Sequence, residues 1–176
     1  TIVNKMMNHI DLCSGLGGFA KGFMDAGLSK PILFCDIEEW SREILKKRFP
    51  DVKIVNDVKE LAHEPERFIP RNLDWSNTIL SAGYPCQPFS VAGKRKGTED
   101  PRHIWPYIHK IIALKRPSYC VFENVPGHIA LGLDQVLLDM ENEEYTTSTF
   151  NIPAYSVGAP HKRERIWIVC KFVGNT

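Results

Sequence analysis

This sequence predicts a doubly wound α/β fold with a mostly parallel sheet, on three observations. Short apolar runs alternate with segments of helical spacing for most of the length, the pattern of strands joined by right-handed crossover helices. The first apolar run opens into a glycine-rich turn, Ser14-Gly15-Leu16-Gly17-Gly18. Residues with chemical function recur at successive strand ends: Gly15, Asp36, Asp57, Cys86 and Glu123. Open sheets of this kind bind ligands beyond the carboxyl ends of their strands. One such residue is an ordinary turn, whereas five in successive units predict a shared site.

The chain has 176 residues, room for one domain with its own core and hardly for two. Residues 1–176 are read as that single domain. Apolar residues make up 43% and charged residues 24%, as in soluble globular proteins. No apolar run nears the ~20 residues of a membrane span. There is no basic-then-apolar leader, so a cytoplasmic protein without a membrane partner is expected. With a net charge of +1, any basic surface for a polyanion must be local. Five cysteines (Cys13, Cys35, Cys86, Cys120, Cys170) contain no CxxC pair, which argues against a zinc or other metal site and against a disulfide framework. Cys35, Cys120 and Cys170 lie in apolar runs and read as small core residues in a reducing compartment. The chain starts at Thr1 and stops shortly after an apolar run. A fragment, or one piece of a larger assembly, is expected.

Asn8 to Cys13 is the first predicted strand. The glycines after it let backbone approach a ligand, and the helix that follows, Phe19 to Ala26, offers free N–H groups at its start. The spacing is G-x-G-G, not the G-x-G-x-x-G of a pyrophosphate cradle. A tight βα turn is the alternative. Pro31 to Cys35 is the second strand. It ends at Asp36, about 20 residues past the glycines, where an acid meets ribose hydroxyls in nucleotide-binding units. Glu38 to Phe49 is an amphipathic helix and Val52 to Val55 a third strand. Asp57 then either caps the next helix or accepts from the exocyclic amine of a bound base. Leu61 to Trp75 is polar and proline-broken, a connection with no assigned structure.

The fourth strand, Asn77 to Ser81, runs into a loop holding Gly83, Pro85, Pro88, Gly93 and Gly97, too many breakers for a helix or a ladder. Cys86 stands at the start of that loop, where a strand ends and chemistry is commonly placed. Lys94-Arg95-Lys96 follow on it, either as a solvated loop or as contacts to a polyanion. His103 to Lys115 is a helix stopped by Pro117. Ser118 to Phe122 is a fifth strand that delivers Glu123-Asn124-Val125. Leu131 to Met140 is a helix with Leu133, Val136, Leu137 and Met140 on its apolar face. Tyr145 to Ile152 alternates like an edge strand, and Arg163 to Phe172 is the last strand, with Arg163 and Arg165 on one face.

A thiol, a carboxyl and guanidinium groups are the materials of covalent catalysis. His103, His109, His128 and His161 are available as bases, but none stands in a papain-like context. Sulfur attacking carbon 6 of a pyrimidine makes carbon 5 nucleophilic, and a carboxyl at ring nitrogen 3 eases that attack. In these motifs the chain resembles the DNA (cytosine-5)-methyltransferases, from about His9 to Phe172. The matching stretches are DLCSGLGGF, GYPCQPFS, FENV and HKRERIWIV. The resemblance implies a Rossmann-like, S-adenosylmethionine-dependent methyltransferase fold acting on double-stranded DNA. It implies that S-adenosyl-L-methionine is held by Asp11, Cys13, Gly15, Leu16, Gly17 and Gly18, by Asp36 and Ile37, by Asp57 and Val58, and by Gly83, Pro85 and Ile104. It makes Cys86 the nucleophile, puts Glu123 on the target cytosine, and sets Arg163 and Arg165 near base and thiol, where they favour the thiolate. It assigns Gln87, Ser90, Lys94, Arg95 and Lys96 to DNA, around a flipped base.

Three departures stand out. Cys13 replaces a phenylalanine that stacks on adenine in the family, which predicts weaker cofactor affinity; Cys13 itself reads as packing. His161 replaces a glutamine. The family's target-recognition domain and last cofactor-side motifs have no counterpart after RERIWIV. A catalytically incomplete subunit that needs a complementary chain is therefore the alternative reading. A nicotinamide-dependent oxidoreductase is disfavoured by the G-x-G-G spacing.

Overall fold

A computed structural model of the chain describes residues 6–85 and 104–174. Seven strands form one sheet in the order β3-β2-β1-β4-β5-β7-β6. The strands are β1 (Met7–Leu12), β2 (Ser29–Cys35), β3 (Lys53–Val55), β4 (Thr78–Ala82), β5 (Tyr119–Asn124), β6 (Tyr145–Pro153) and β7 (Glu164–Phe172). The first five pair in parallel, as the strand–helix alternation predicts. β7 enters antiparallel between β5 and β6. The reason is the link: β6 and β7 are joined by one 3₁₀ turn, Ala154–Val157, and a few extended residues. A parallel return needs a crossover of a dozen or more residues. β6 takes the sheet edge, as its alternation predicts.

Helices cover both faces. α1 (Gly18–Asp25) and α2 (Glu39–Arg48) lie on one side, where Ala20, Phe34 and Leu45 make a small core. α3 (Val58–His63), α5 (Trp105–Lys115) and α7 (Leu133–Asn142) lie on the other. There they pack Leu61, Ile108, Ile112 and Met140 onto Ile10, Leu12, Leu33, Leu80, Phe122 and Ile168. β4 is buried along its whole length, as expected of a central strand covered on both faces.

Two segments depart from the sequence reading. Part of the Leu61–Trp75 connection is helical, in α3 and in the short α4 (Pro65–Phe68). Asp57 caps α3 by accepting from Lys59 N–H at 2.8 Å, and Pro65 sits in the first turn of α4, where its missing N–H costs nothing. The helix expected over Leu131–Met140 is two: α6 (His128–Leu131) and α7, divided at Gly132. Leu133, Val136 and Met140 are buried as predicted. Cys35, Cys120 and Cys170 are buried in the core, also as predicted. Among the described residues no helix is long and apolar enough to cross a membrane.

The glycine turn has one position that only glycine fills. Gly17 has φ +78°, and a Cβ there meets Phe49 Cε2 at 2.9 Å and Leu45 Cδ2 at 3.1 Å. Gly17→Ala is expected to cost roughly 2 kcal/mol through left-handed strain and this clash. A melting curve displaced by less than about 2 °C argues that the turn relaxes around the methyl group.

Candidate active site

The carboxyl ends of β1, β4 and β5 meet at one rim, and a cavity of about 810 Å³ opens there. Gly83, just past β4, lies where the three chains meet. A Cβ built on it lies 3.5 Å from Glu123 Oε2 and 3.9 Å from the Cys13 carbonyl oxygen. Glu123 on β5, the glycine turn after β1 and the chain three residues before Cys86 therefore converge. Cys13, Gly15, Leu16, Gly18, Gly83, Glu123, Arg163 and Arg165 all line this cavity.

Glu123 is held by Arg165, whose Nε donates to Glu123 Oε1 at 2.6 Å. Both side chains are about three-quarters buried, 27% and 23% exposed, so the pair is less screened than a surface ion pair. Arg163 reaches the same cavity but does not share β7 with Arg165 as expected. Its φ of +28° breaks the extended run, and β7 begins at Glu164. The pairing of Glu123 with Trp167 in the β5–β7 ladder sets which residues flank the carboxylate.

The cofactor-side acids are occupied by backbone. Asp36 accepts from Gly15 N–H at 2.7 Å through Oδ2 and from Glu38 N–H at 2.9 Å through Oδ1. It thereby ties the end of β2 to the glycine turn. Asp57 performs the capping role rather than standing free, although one oxygen remains for a ligand. Asp11 does not reach the cavity. It is fully buried and its carboxyl is turned onto Ser81 of β4, because successive strand residues point to opposite faces and this one lies under α1. Val58 and Ile104 pack against the core instead of the site. Gly17 faces Phe49, Ile37 is 66% exposed, and Pro85 is exposed; none of the three lines the cavity. Cys86, Gln87, Ser90, Lys94, Arg95 and Lys96 lie outside the described residues.

Cys13 lines the cavity with φ +54°. Its thiol is pushed up to about 12 by burial and then by the carboxylates of Asp36, Asp11 and Asp57, so it is a poor nucleophile and matches the packing role read from sequence. The approach to Cys86 is fixed from the other side. Asn124 Nδ2 donates to the Tyr84 carbonyl at 3.2 Å, and the Tyr84 hydroxyl lies 3.1 Å from His128 Nε2. Burial lowers the His128 pKa and favours a neutral imidazole.

Sequence reasoning missed the aromatic and apolar walls. Phe19 and Trp167 meet edge to face at 5.5 Å, and Ile152, Pro153, Ala154 and Val157 form the outer side. The sequence marks Phe19 only as the start of the helix after the glycine turn. Trp167 read as one more apolar strand residue, and no local signal sets it apart. Among the described residues no group of His, Cys, Asp and Glu is arranged to hold a metal ion.

Known proteins resemble this chain in sequence and in fold. The C-5 cytosine-specific DNA methylase family matches residues 7–174. The type II methyltransferase M.Sau96I of Staphylococcus aureus is 34% identical over 173 residues, covering 94% of this chain and 39% of its own length. M.HpaII of Haemophilus parainfluenzae is 33% identical, with 95% and 46% covered. M.HhaI of Haemophilus parahaemolyticus is 31% identical, with 93% and 49% covered. The chain thus spans less than half the length of each of these relatives. The crystal structure of the S. pombe Dnmt2 methyltransferase superposes with a TM-score of 0.79 at 20% identity, over 97% of this chain and 52% of the other, a likeness of fold. On the family match across nearly its whole length, the chain belongs to the C-5 cytosine-specific DNA methylases.

Proposed function

We propose that this chain is the catalytic portion of an enzyme that moves a methyl group from S-adenosyl-L-methionine to carbon 5 of cytosine in double-stranded DNA. One observation carries the reading: Gly83, Glu123 and the glycine turn meet at one rim, three residues ahead of Cys86. The cavity suits the cofactor. Its volume of about 810 Å³ falls in the range of small-ligand sites. Gly15 and Gly18 leave open space where a side chain would stand. Asp36 and Asp57 are not among the residues lining this cavity, but their backbone hydrogen bonds leave lone pairs that a ribose and an adenine amine would use. Bound there, the cofactor supplies an electrophilic methyl group.

The chain's own residues do the rest. The target cytosine leaves the base stack, because its ring carbons are unreachable inside the duplex. Glu123, oriented by Arg165, takes up a proton and shares it with ring nitrogen 3; the proton held at that nitrogen draws electron density away from carbon 6, and it is given back when the ring is restored. The Cys86 thiolate forms a bond to carbon 6, and the displaced ring electrons make carbon 5 the nucleophile that takes the methyl group. Loss of the carbon 5 proton restores the 5,6 double bond and expels the Cys86 thiolate. Lys94, Arg95 and Lys96 meet DNA phosphates.

A second element of the reading concerns target choice. The chain covers 39–49% of the three relatives above, and Val157 stands exposed on the outer cavity wall, with Tyr155 exposed beside it in the chain. A target-recognition part, in the same longer polypeptide or in a complementary subunit, completes the enzyme.

Incubation with methyl-labelled S-adenosylmethionine and cytosine-containing duplex, with the recognition part added, is expected to label carbon 5 of cytosine. Cys86→Ser is expected to lower transfer by about 10³-fold or more; transfer that survives it refutes the assigned nucleophile. Arg165→Gln is expected to reduce the transfer rate by roughly 10²-fold and, because it strands a largely buried carboxylate, to lower the melting temperature by several degrees while the fold is kept. An unchanged rate removes Arg165 from the orienting role.

A further inference from the structure

β1 and β4 pair in parallel with Asp11 opposite Ser81. On the side facing α1, three polar side chains meet under the glycine turn. His9 Nε2 lies 2.7 Å from Ser81 Oγ, and Ser81 Oγ donates to Asp11 Oδ1 at 2.7 Å. All three residues are fully buried. Phe23 of α1 seals the cluster, edge-on to His9 at 5.0 Å. Two atoms remain without a partner among the described residues, Asp11 Oδ2 and His9 Nδ1.

This geometry decides the charge states. A buried carboxylate with one bare oxygen is costly, and its charged neighbour, Asp36 at the end of β2, repels it. Burial chiefly, opposed by the Ser81 hydrogen bond and aided by Asp36, raises the Asp11 carboxyl to about 8. Burial alone takes His9 down to about 3. At neutral pH the cluster is then an acid, a hydroxyl and a neutral imidazole. With Ser81 donating to Asp11, His9 donates from Nε2–H, and the Asp11 proton sits on Oδ2.

We propose that Asp11, kept as a neutral carboxylic acid, is a positioning residue that locks the end of β1 to the end of β4 through Ser81 and His9. The lock holds the glycine turn and the Gly83–Pro85 approach to Cys86 in mutual register. Ionisation of Asp11 strengthens the one bond from Ser81 but leaves a buried charge with a bare oxygen, and that cost favours opening of the strand ends. The consequence for cofactor binding rests on the function proposed above; the protonation state does not.

The sign follows from the two shifts. Asp11 has a folded value raised above 3.8, so its contribution to stability is complete below about pH 4 and is lost as pH rises toward about 8. His9 is lowered from 6.5, so its contribution is present above that value and is lost as pH falls toward about 3. Comparing Asp11→Asn, a permanently neutral and nearly isosteric replacement, with the parent chain cancels the His9 effect.

Thermal melts of the 176-residue chain between pH 5 and 9 are the first test. The melting temperature of Asp11→Asn relative to the parent is expected to rise by at least about 5 °C across that range and to level off above about pH 8. Infrared spectra of the parent chain at pH 7 are expected to contain a buried protonated-carboxyl band that fades above about pH 8 and is missing in Asp11→Asn. This second measurement holds even if the variant folds poorly. Calorimetric binding of S-adenosylmethionine is expected to weaken by roughly 10-fold from pH 6 to pH 9 in the parent and to stay level in Asp11→Asn. A melting difference that does not change with pH, or no such band at pH 7, overturns the proposal. Absence of cofactor binding at every pH overturns the proposed function while the melts and spectra still decide the proton.

Discussion

A Cβ built on Gly83 would touch both the Cys13 carbonyl and the Glu123 carboxylate, and that convergence depends on the parallel register of β1, β4 and β5. Leu12 pairs with Ala82, and Ala82 with Phe122, so the three chains leave the sheet at one level. Parallel strands with crossover helices bring all their carboxyl ends to one edge. A glycine turn, the chain just past β4 at Gly83 and a carboxylate, spread over more than a hundred residues of sequence, thus come to share one cavity. Asp36 extends the arrangement to β2 by binding the backbone N–H of Gly15.

The sheet's two faces divide the work. Under α3, α5 and α7 the buried residues are almost all apolar, and this face supplies most of the hydrophobic stabilisation. Under α1 the strands carry His9, Asp11, Ser81 and Glu123. These groups are costly to bury and each needs a partner. They lie beneath and beside the rim where the site is, with the Arg165 guanidinium balancing the Glu123 charge. The concentration of polar groups on the face that gives up packing for them is the energetic mark of a functional site.

Much of this was legible in the chain itself. Alternation placed the seven strands of the described residues to within two or three residues. Of the five strand-end residues read as one site, Gly15 and Glu123 line the cavity, Asp36 and Asp57 do not, and Cys86 lies outside the described residues. What escaped was decided by distance in sequence or by backbone detail. The antiparallel entry of β7 follows from a short link whose consequence appears only when the neighbouring strand is known. Arg163 left the strand because of one positive φ value. Trp167 joined the site because its ladder partner is Glu123. Asp11 looked like a member of the glycine motif, yet its side chain belongs to the opposite strand.

The sequence by itself determined the class of fold, the identity of the chemical groups and their assignment to strand ends, because periodicity and turn chemistry are local properties of the chain. Only the tertiary structure decided which groups face one another: Arg165 on Glu123, Asp36 on the glycine turn, His9 and Asp11 on Ser81. Those pairings depend on strand register and on which face each side chain takes. Register is set by the packing of the whole sheet against its helices, and a slip of one residue would turn every one of these side chains to the other side.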